Sequence, residues 1–354
     1  VRGLFRRLLK NSNGLRAFSS GLLNAGVAMT ADTTKALVTG ADGFVGQHLL
    51  GHLLESGYTV SASTLELPPS RTVLGPAQMA AVDWKAADVR DHDALYRLIA
   101  AVRPDQIYHL AGFSSGALAR AQAARAMRIN AGGTVNLCEA VLSVQTDFPA
   151  FDPRIFVMGS GDAYGDSAVV GKPLTESMPL RPVSAYGLSK ACQELAGHTY
   201  RRAHGLRTVV ARTFNLVGPG QLSPFVVPNF CEQVADIAAG DAEPVLHVGN
   251  LDVERDFTDV RDAVVAFRAI MEREDGEAVY NVASNRPVAI RSLMDWIVSE
   301  AGIEVKIQVD PERVRSEDVP RIAGDASLLR EQVGWEPVRP IEDTVREVYR
   351  SIAG

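Results

Sequence analysis

From residue 35 onward, short apolar runs alternate with longer stretches in which apolar residues recur every three or four positions. Residues 36–39 (ALVT) read as a buried strand, 46–54 as a helix and 59–63 as a second strand, with a weaker strand pattern inside 79–87. Over 92–102, Leu95, Leu98, Ile99 and Val102 share one helical face. A strand over 107–110, a long helix over 130–144, a strand over 154–158, a helix over 185–204 and a strand over 208–212 follow. Strands separated by helices pack as a parallel sheet covered on both faces. After Phe214 the rhythm changes, and prolines and glycines cluster in VGPGQLSPFVVP. Helical patterns return over 230–239, 262–272, 291–301, 326–333 and 341–352. The expected fold class is α/β, a doubly wound parallel sheet over 35–215 with returning elements around 252–283. A smaller mixed α/β substrate-binding domain is expected from 216–251 and 284–354.

Composition narrows the function classes. Hydrophobic residues make up 46% and charged residues 22% of the 354, which supports a sizeable core. A net charge of −6 gives no general affinity for nucleic acid, so a phosphate-bearing ligand needs local cations and N–H groups. Cys138, Cys192 and Cys231 are far apart and lack metal spacing. They read as small buried hydrophobes in a reducing compartment, the cytoplasm, with no metal site expected. No apolar run approaches the ~20 residues of a membrane helix. Residues 1–31 carry Arg2, Arg6, Arg7, Lys10 and Arg16 and no acid. An organelle-targeting presequence, a start-site artefact and an amphipathic membrane-surface helix all fit that composition. The second is favoured because Met29 stands just before the first strand pattern. In each case residues 1–34 are an N-terminal extension, disordered or outside the fold.

The first strand runs into Gly40-Ala41-Asp42-Gly43-Phe44-Val45-Gly46, a GxxGxxG loop that opens a helix. Glycines there permit a tight turn, a close backbone approach to a pyrophosphate and close packing of helix on sheet. The helix N-terminus offers N–H groups to the phosphates. This predicts a Rossmann-type dinucleotide site. The second strand ends Ser63-Thr64, with Glu66 and Arg71 following. Hydroxyls and an arginine suit a 2′-phosphate, so NADP(H) is favoured and NAD(H) remains open. Asp88-Val89 can contact adenine, although Asp88 reads equally as part of a helix N-cap region.

Tyr186-Gly187-Leu188-Ser189-Lys190 is YxxxK on a predicted helix, which places phenol and amine on one face. An ammonium beside a phenol is expected to lower its pKa, and such a tyrosine can exchange a proton with a carbonyl or alcohol. Ser160, in MGSGDAYG, ends a predicted strand and can hold the substrate oxygen. Tyr164 has no lysine four positions on and reads as structural.

Together, TGADGFVGQHL, YHLAG, INAGGTVNLCEA, GSGDAYG, YGLSK and ARTFNLVGPGQ resemble the extended short-chain dehydrogenase/reductases, the NAD-dependent epimerase/dehydratase family. FVVPNF, VGNLDVERDFTDVRDA, YNVASNRPVAIRSL and DPERVRSEDVPRIAGDASLLREQVGWEP resemble its GDP-sugar branch, GDP-mannose 4,6-dehydratases and, closer still, GDP-4-dehydro-6-deoxy-D-mannose reductases. The resemblance implies Ser160, Tyr186, Lys190 and Asp162 as catalytic residues. It puts Asp162 where dehydratases carry a glutamate base, one methylene longer. Implied cofactor contacts are Gly40, Gly43, Phe44, Val45, Gly46, Thr64, Asp88, Val89, Leu110, Ala111, Tyr186 and Lys190. Implied contacts to a GDP-sugar are Ser114, Asn215, Val227, Arg255 and Arg315, with Glu317 and Asp318 as acceptors for guanine. On the residues alone, Arg255 reads as an ion pair with Asp256. Gly159 departs from the usual serine without an evident reason. The implied activity is reduction of a 4-keto sugar by NAD(P)H in a homodimer. A dehydratase, a 4-epimerase and a non-catalytic NADP-binding scaffold are the alternatives.

Overall fold

The computed structural model describes residues 33–69, 73–168, 171–314 and 319–354. The chain runs β1 (Lys35–Thr39), α1 (Phe44–Glu55), β2 (Thr59–Thr64), α2 (Pro76–Ala81), β3 (Asp83–Ala86), α3 (His92–Val102) and β4 (Gln106–His109). It continues with α4 (Gly116–Ala121), α5 (Ala123–Met127), a π-turn (Arg128–Gly132), α6 (Gly133–Asp147), β5 (Arg154–Ser160), α7 (Ala185–His204), β6 (Arg207–Thr213) and β7 (Asn215–Val217). Then come α8 (Val226–Ala239), β8 (Val245–Val248), β9 (Glu254–Asp259), α9 (Val260–Glu272), β10 (Val279–Val282) and β11 (Pro287–Ala289). The last elements are α10 (Ile290–Ala301), β12 (Lys306–Val309), β13 (Arg321–Ile322), α11 (Ser327–Val333) and α12 (Ile341–Ala353).

Seven strands form a parallel sheet in the order β10-β6-β5-β4-β1-β2-β3. Its inner strands are apolar along their length because both faces are covered. Ala36, Val38, Tyr108 and Phe156 face α1 and α9, where Phe156 meets Phe267 at 4.7 Å between ring centroids. Leu37, Ile107, Ile155 and Val157 face α3 and α6. The third strand gave a weak pattern because β3 is a mostly exposed edge, and the apolar residues ahead of it belong to α2. Within 252–283, α9 and β10 lie with this sheet, whereas β9 joins β7, β11 and β13 in a small mixed sheet.

A second core gathers α8, β8, α10 and α12 around Phe230, Leu246, Leu293 and Val348. The two cores flank the carboxyl ends of the parallel strands, where open α/β sheets bind ligands. One buried network locks the segment that follows β5. The Tyr164 hydroxyl donates to Asn281 Oδ1 at 2.8 Å, and the Asn281 amide donates to the carbonyls of Leu174 and Asp325. Arg212 donates to the Tyr164 oxygen at 2.7 Å and pairs with Glu194 at 2.5 Å. Tyr164 is thereby tied into the frame.

Candidate active site

A cavity of about 1400 Å³ opens over the strand ends. Single small-molecule sites usually occupy about 300–1,000 Å³, so this one has room for two ligands. Gly40, Gly43, Phe44, Val45 and Gly46 line one end. Gly40 has φ +66°, and a Cβ there would lie 2.6 Å from Ala111 Cα. On Gly46 a Cβ would lie 2.5 Å from the Gly40 carbonyl oxygen, so glycine lets α1 start against β1. Among the described residues no side chain caps α1 at Gly43, which leaves its first N–H groups open to a phosphate. Nearby, the buried Ser63 hydroxyl has no hydrogen-bond partner among them. A glycine cradle and an unsatisfied donor at the end of β2 fit a dinucleotide.

Thr64, Asp88, Val89, Leu110 and Ala111 line the same end. The Thr64 hydroxyl is bonded to the Glu66 carbonyl. Asp88 does not cap α3; Asp91 does, accepting from the Ala94 N–H at 3.0 Å. Asp88 instead holds Arg90 through its backbone N–H and its guanidinium, and this holds the carboxyl below its ordinary pKa.

At the centre stand Ser160, Asp162, Tyr186 and Lys190. Ser160 is the last residue of β5, and its hydroxyl accepts from the Asp162 N–H at 3.1 Å. Ser184 caps the start of α7, accepting from the Gly187 N–H at 3.0 Å, which brings Tyr186 into the first turn beside Ser160. The Tyr186 phenol is pushed above its ordinary pKa, first by burial and then by the Asp162 carboxylate, against a hydrogen bond from Ser160 that pulls it down. The expected lowering by Lys190 is therefore not the balance here. The physical reason is where the amine points. Lys190 Nζ donates to the Met158 carbonyl at 2.9 Å and to Gln193 Oε1 at 2.8 Å. Burial pulls Lys190 down to about 7. Gly159 also has a reason: a Cβ there would meet Val210 Cγ1 at 2.9 Å and the Ala211 carbonyl oxygen at 3.0 Å, so β6 leaves no space for serine.

The buried Asn130 is a site residue that periodicity missed. It sits in the π-turn that breaks the predicted helix over 130–144. Its Oδ1 accepts from the Phe113 N–H at 2.7 Å, and its Nδ2 donates to the Phe113 carbonyl and to Ser189 Oγ. It thereby pins the loop after β4 to α7. π-turns of this kind recur at functional sites, and INAGG was the available signal.

Ser114, on the loop after β4, lines the cavity, as do Asn215, Val227 and Arg255 from the elements after β6. Ser114 is exposed, just ahead of Ser115, which caps α4. Asn215 donates to the Asp256 carbonyl at 2.9 Å. Val227, in the first turn of α8, is 1% exposed and packs in the second core, so it borders the cavity with very little surface. Arg255 donates to the carbonyls of Glu254 and Val319. The Arg255–Asp256 pair read from the residues alone is not how Asp256 is held. Neighbouring strand residues face opposite ways, and Asp256 is buried among the N–H groups of Ser284, Asn285 and Gly324. Arg71, Arg315, Glu317 and Asp318 lie outside the described residues. Arg313, missed although it shares the run with Arg315, lines the cavity and donates to Asn229 Oδ1 at 2.9 Å. Lys190, Arg90, Arg120, Arg125, Arg255 and Arg313 face only Asp42, Asp88 and Asp162 among the described lining residues. The cavity is thus cationic in an acidic chain, as phosphorylated ligands require. No group of side chains able to hold a metal occurs among the described residues, and none of their helices is long and apolar enough to cross a membrane.

Comparison with known proteins agrees with this geometry. The family model for GDP-mannose 4,6 dehydratase matches residues 37–348. The GDP-6-deoxy-D-mannose reductase of Pseudomonas aeruginosa is 32% identical, over 89% of this chain and 96% of its own. A GDP-mannose 4,6-dehydratase of Yersinia enterocolitica is 26% identical, over 89% and 92%. Among solved structures, RMD from Pseudomonas aeruginosa complexed with NADPH aligns with a TM-score of 0.76 at 30% identity, over 91% of this chain and 99% of that one. The Thermus thermophilus UDP-glucose 4-epimerase complex with NAD gives 0.78 at 26% identity, over 91% and 99%. With its glycine cradle, its Ser160–Tyr186–Lys190 group and a match along nearly the whole described chain, the protein belongs to the GDP-mannose 4,6 dehydratase family.

Proposed function

We propose that this protein is an oxidoreductase that reduces the C4 carbonyl of GDP-4-dehydro-6-deoxy-D-mannose to GDP-D-rhamnose or its C4 epimer. The observation that carries this is that Ser160, Tyr186 and Lys190 stand together on the cavity wall, a hydroxyl able to hold a carbonyl oxygen and a phenol able to protonate it. Bound in the cradle, a reduced nicotinamide supplies the hydride. Ser160 holds the carbonyl oxygen, Tyr186 protonates it, and Lys190 restores the tyrosine proton and binds the cofactor ribose. The second core, with Asn215, the start of α8, Arg255 and Arg315, holds the GDP-sugar. The relatives named for GDP-sugar chemistry support that substrate class.

NADP(H) is the favoured cofactor. The end of β2 presents hydroxyls to the cavity, Glu66 is not among the lining residues, and Arg90 is. The neighbour complexed with NADPH supports this choice. A homodimer through α6 and α7 fits Leu188 and Leu195, 48% and 57% exposed and seven residues apart on α7. Three free cysteines fit a reducing cytoplasm. Light scattering on the purified protein tests the dimer.

A dehydratase is the second reading, favoured by the family model and by the exposed Asp162 carboxylate beside Tyr186. The deciding experiment mixes protein, NADPH or NADH and GDP-4-dehydro-6-deoxy-D-mannose, follows loss of nicotinamide absorbance and identifies the product by NMR. Consumption with formation of a GDP-6-deoxyhexose is the expected result. No consumption, together with a 4-keto product from GDP-mannose without added reductant, would make the protein a dehydratase.

A further inference from the structure

Gln193 follows Lys190 by three positions on α7 and lies on the same helical face. It is fully buried, where a side-chain amide is costly unless it is used. Its Oε1 accepts from Lys190 Nζ at 2.8 Å, while its Nε2 has no partner among the described residues. The Met158 carbonyl on β5 takes a second Lys190 proton at 2.9 Å. An ammonium has three N–H bonds and a neutral amine has two with a lone pair. One acceptor sets the rotor about the Cε–Nζ bond but leaves a neutral amine two places for its lone pair. Two acceptors on different elements take two of the three directions and leave one unassigned. Lys190 is itself on the cavity wall, close to Gly112, where a Cβ would lie 3.5 Å from Nζ.

We infer that Gln193 is a positioning residue for Lys190: its Oε1 fixes the amine so that one N–H, or after deprotonation the lone pair, faces the ligand cavity. The role rests on Lys190 serving proton transfer in the proposed reductase. Without Gln193 the amine keeps its place on α7 but not its direction.

Titration offers a readout apart from turnover. Burial has already brought Lys190 down to about 7. The titratable groups around it are Tyr186 on its own helix, Asp162 after β5, and His109 on β4. His109 is bonded to Thr39 at 2.9 Å and is held down to about 3 by burial and by Lys190, so it stays neutral. Gln193 favours the ammonium without adding charge. Gln193→Met removes that acceptor and lowers the Lys190 midpoint further, by about one unit. Gln193→Glu places a carboxylate there and raises it by roughly one to three units.

The chain has six lysines, few enough to follow individually by NMR after labelling with ¹³C at Cε. The signal lost in Lys190→Arg identifies Lys190. The expected result is a midpoint near 7 in the parent, lower in Gln193→Met and higher in Gln193→Glu, with melting curves showing both variants folded. The alkaline limb of kcat with NADPH should move in the same two directions. In Gln193→Met kcat should also fall about tenfold, because a misdirected proton donor costs rate. Folded variants in which the Lys190 midpoint does not move, or moves the same way in both, would overturn the role. Opposite shifts in a protein that oxidises no NADPH would uphold the positioning and refute the reductase reading alone.

Discussion

The two walls of the cavity are built differently. On the sheet side two groups are held inside the fold, Asn130 by Phe113 and Ser189 and Lys190 by Met158 and Gln193. On the other side Asn215 donates to a backbone carbonyl from an exposed position, and Arg313 to Asn229 at an exposed rim. A buried hydrogen bond resists rearrangement, because breaking it leaves a polar group unpaired at a cost of about 1–3 kcal/mol. Rim contacts exchange with water and tolerate change. The rigid wall therefore suits steps that need geometry held within fractions of an ångström, and the looser wall suits recognition of a ligand that has to enter and leave.

Substitutions can break that contrast. Tyr186→Phe should lower kcat by about 10²–10⁴-fold with NADPH binding intact, measured by turnover and by nucleotide fluorescence. Retention of activity would mean that the sheet wall is not where the proton moves. Gly46→Ala puts a Cβ 2.5 Å from the Gly40 carbonyl, where only backbone movement can relieve it. A cost of about 1–3 kcal/mol should appear as a lower melting temperature and weaker NADPH binding. Arg255→Ala, on the looser wall, should raise KM for the GDP-sugar about tenfold and leave kcat within a factor of two or so. A larger fall in kcat than rise in KM would put Arg255 with the rigid group. Asp162→Asn sharpens the comparison most finely. A reductase should lose less than about tenfold in kcat, since the residue only biases Tyr186 electrostatically. A dehydratase using it as a base should lose about 10²-fold or more.

Much of the rigid wall was legible because its signals are local. The GxxGxxG loop, YxxxK and the apolar strands each sit within a few residues of sequence, and the helix over 185–204 was bounded by a serine cap and a glycine. Asn130 was not, because its partners lie 17 and 59 residues away. Gly159 made sense only once β6 lay against it. The small strands β7, β11 and β13 span two or three residues each, too short to show a period. A pairing of Arg255 with Asp256 looked natural only because the alternation of β9 was not visible in the sequence. The Tyr186 pKa was misjudged in direction because helix spacing puts two side chains on one face without fixing where the longer one ends.

The network around Tyr164 also sets an order of events during synthesis. Asn281 and Asp325, which anchor the segment after Asp162, are made long after β1 to β6. An emerging chain can therefore pair its early strands while the edge of β6 stays open and the reacting end of β5 stays loose. Until β10 arrives, that bare edge is a template for pairing with other chains. A chain that stops before β10 lacks Asn281, the residue that accepts from Tyr164.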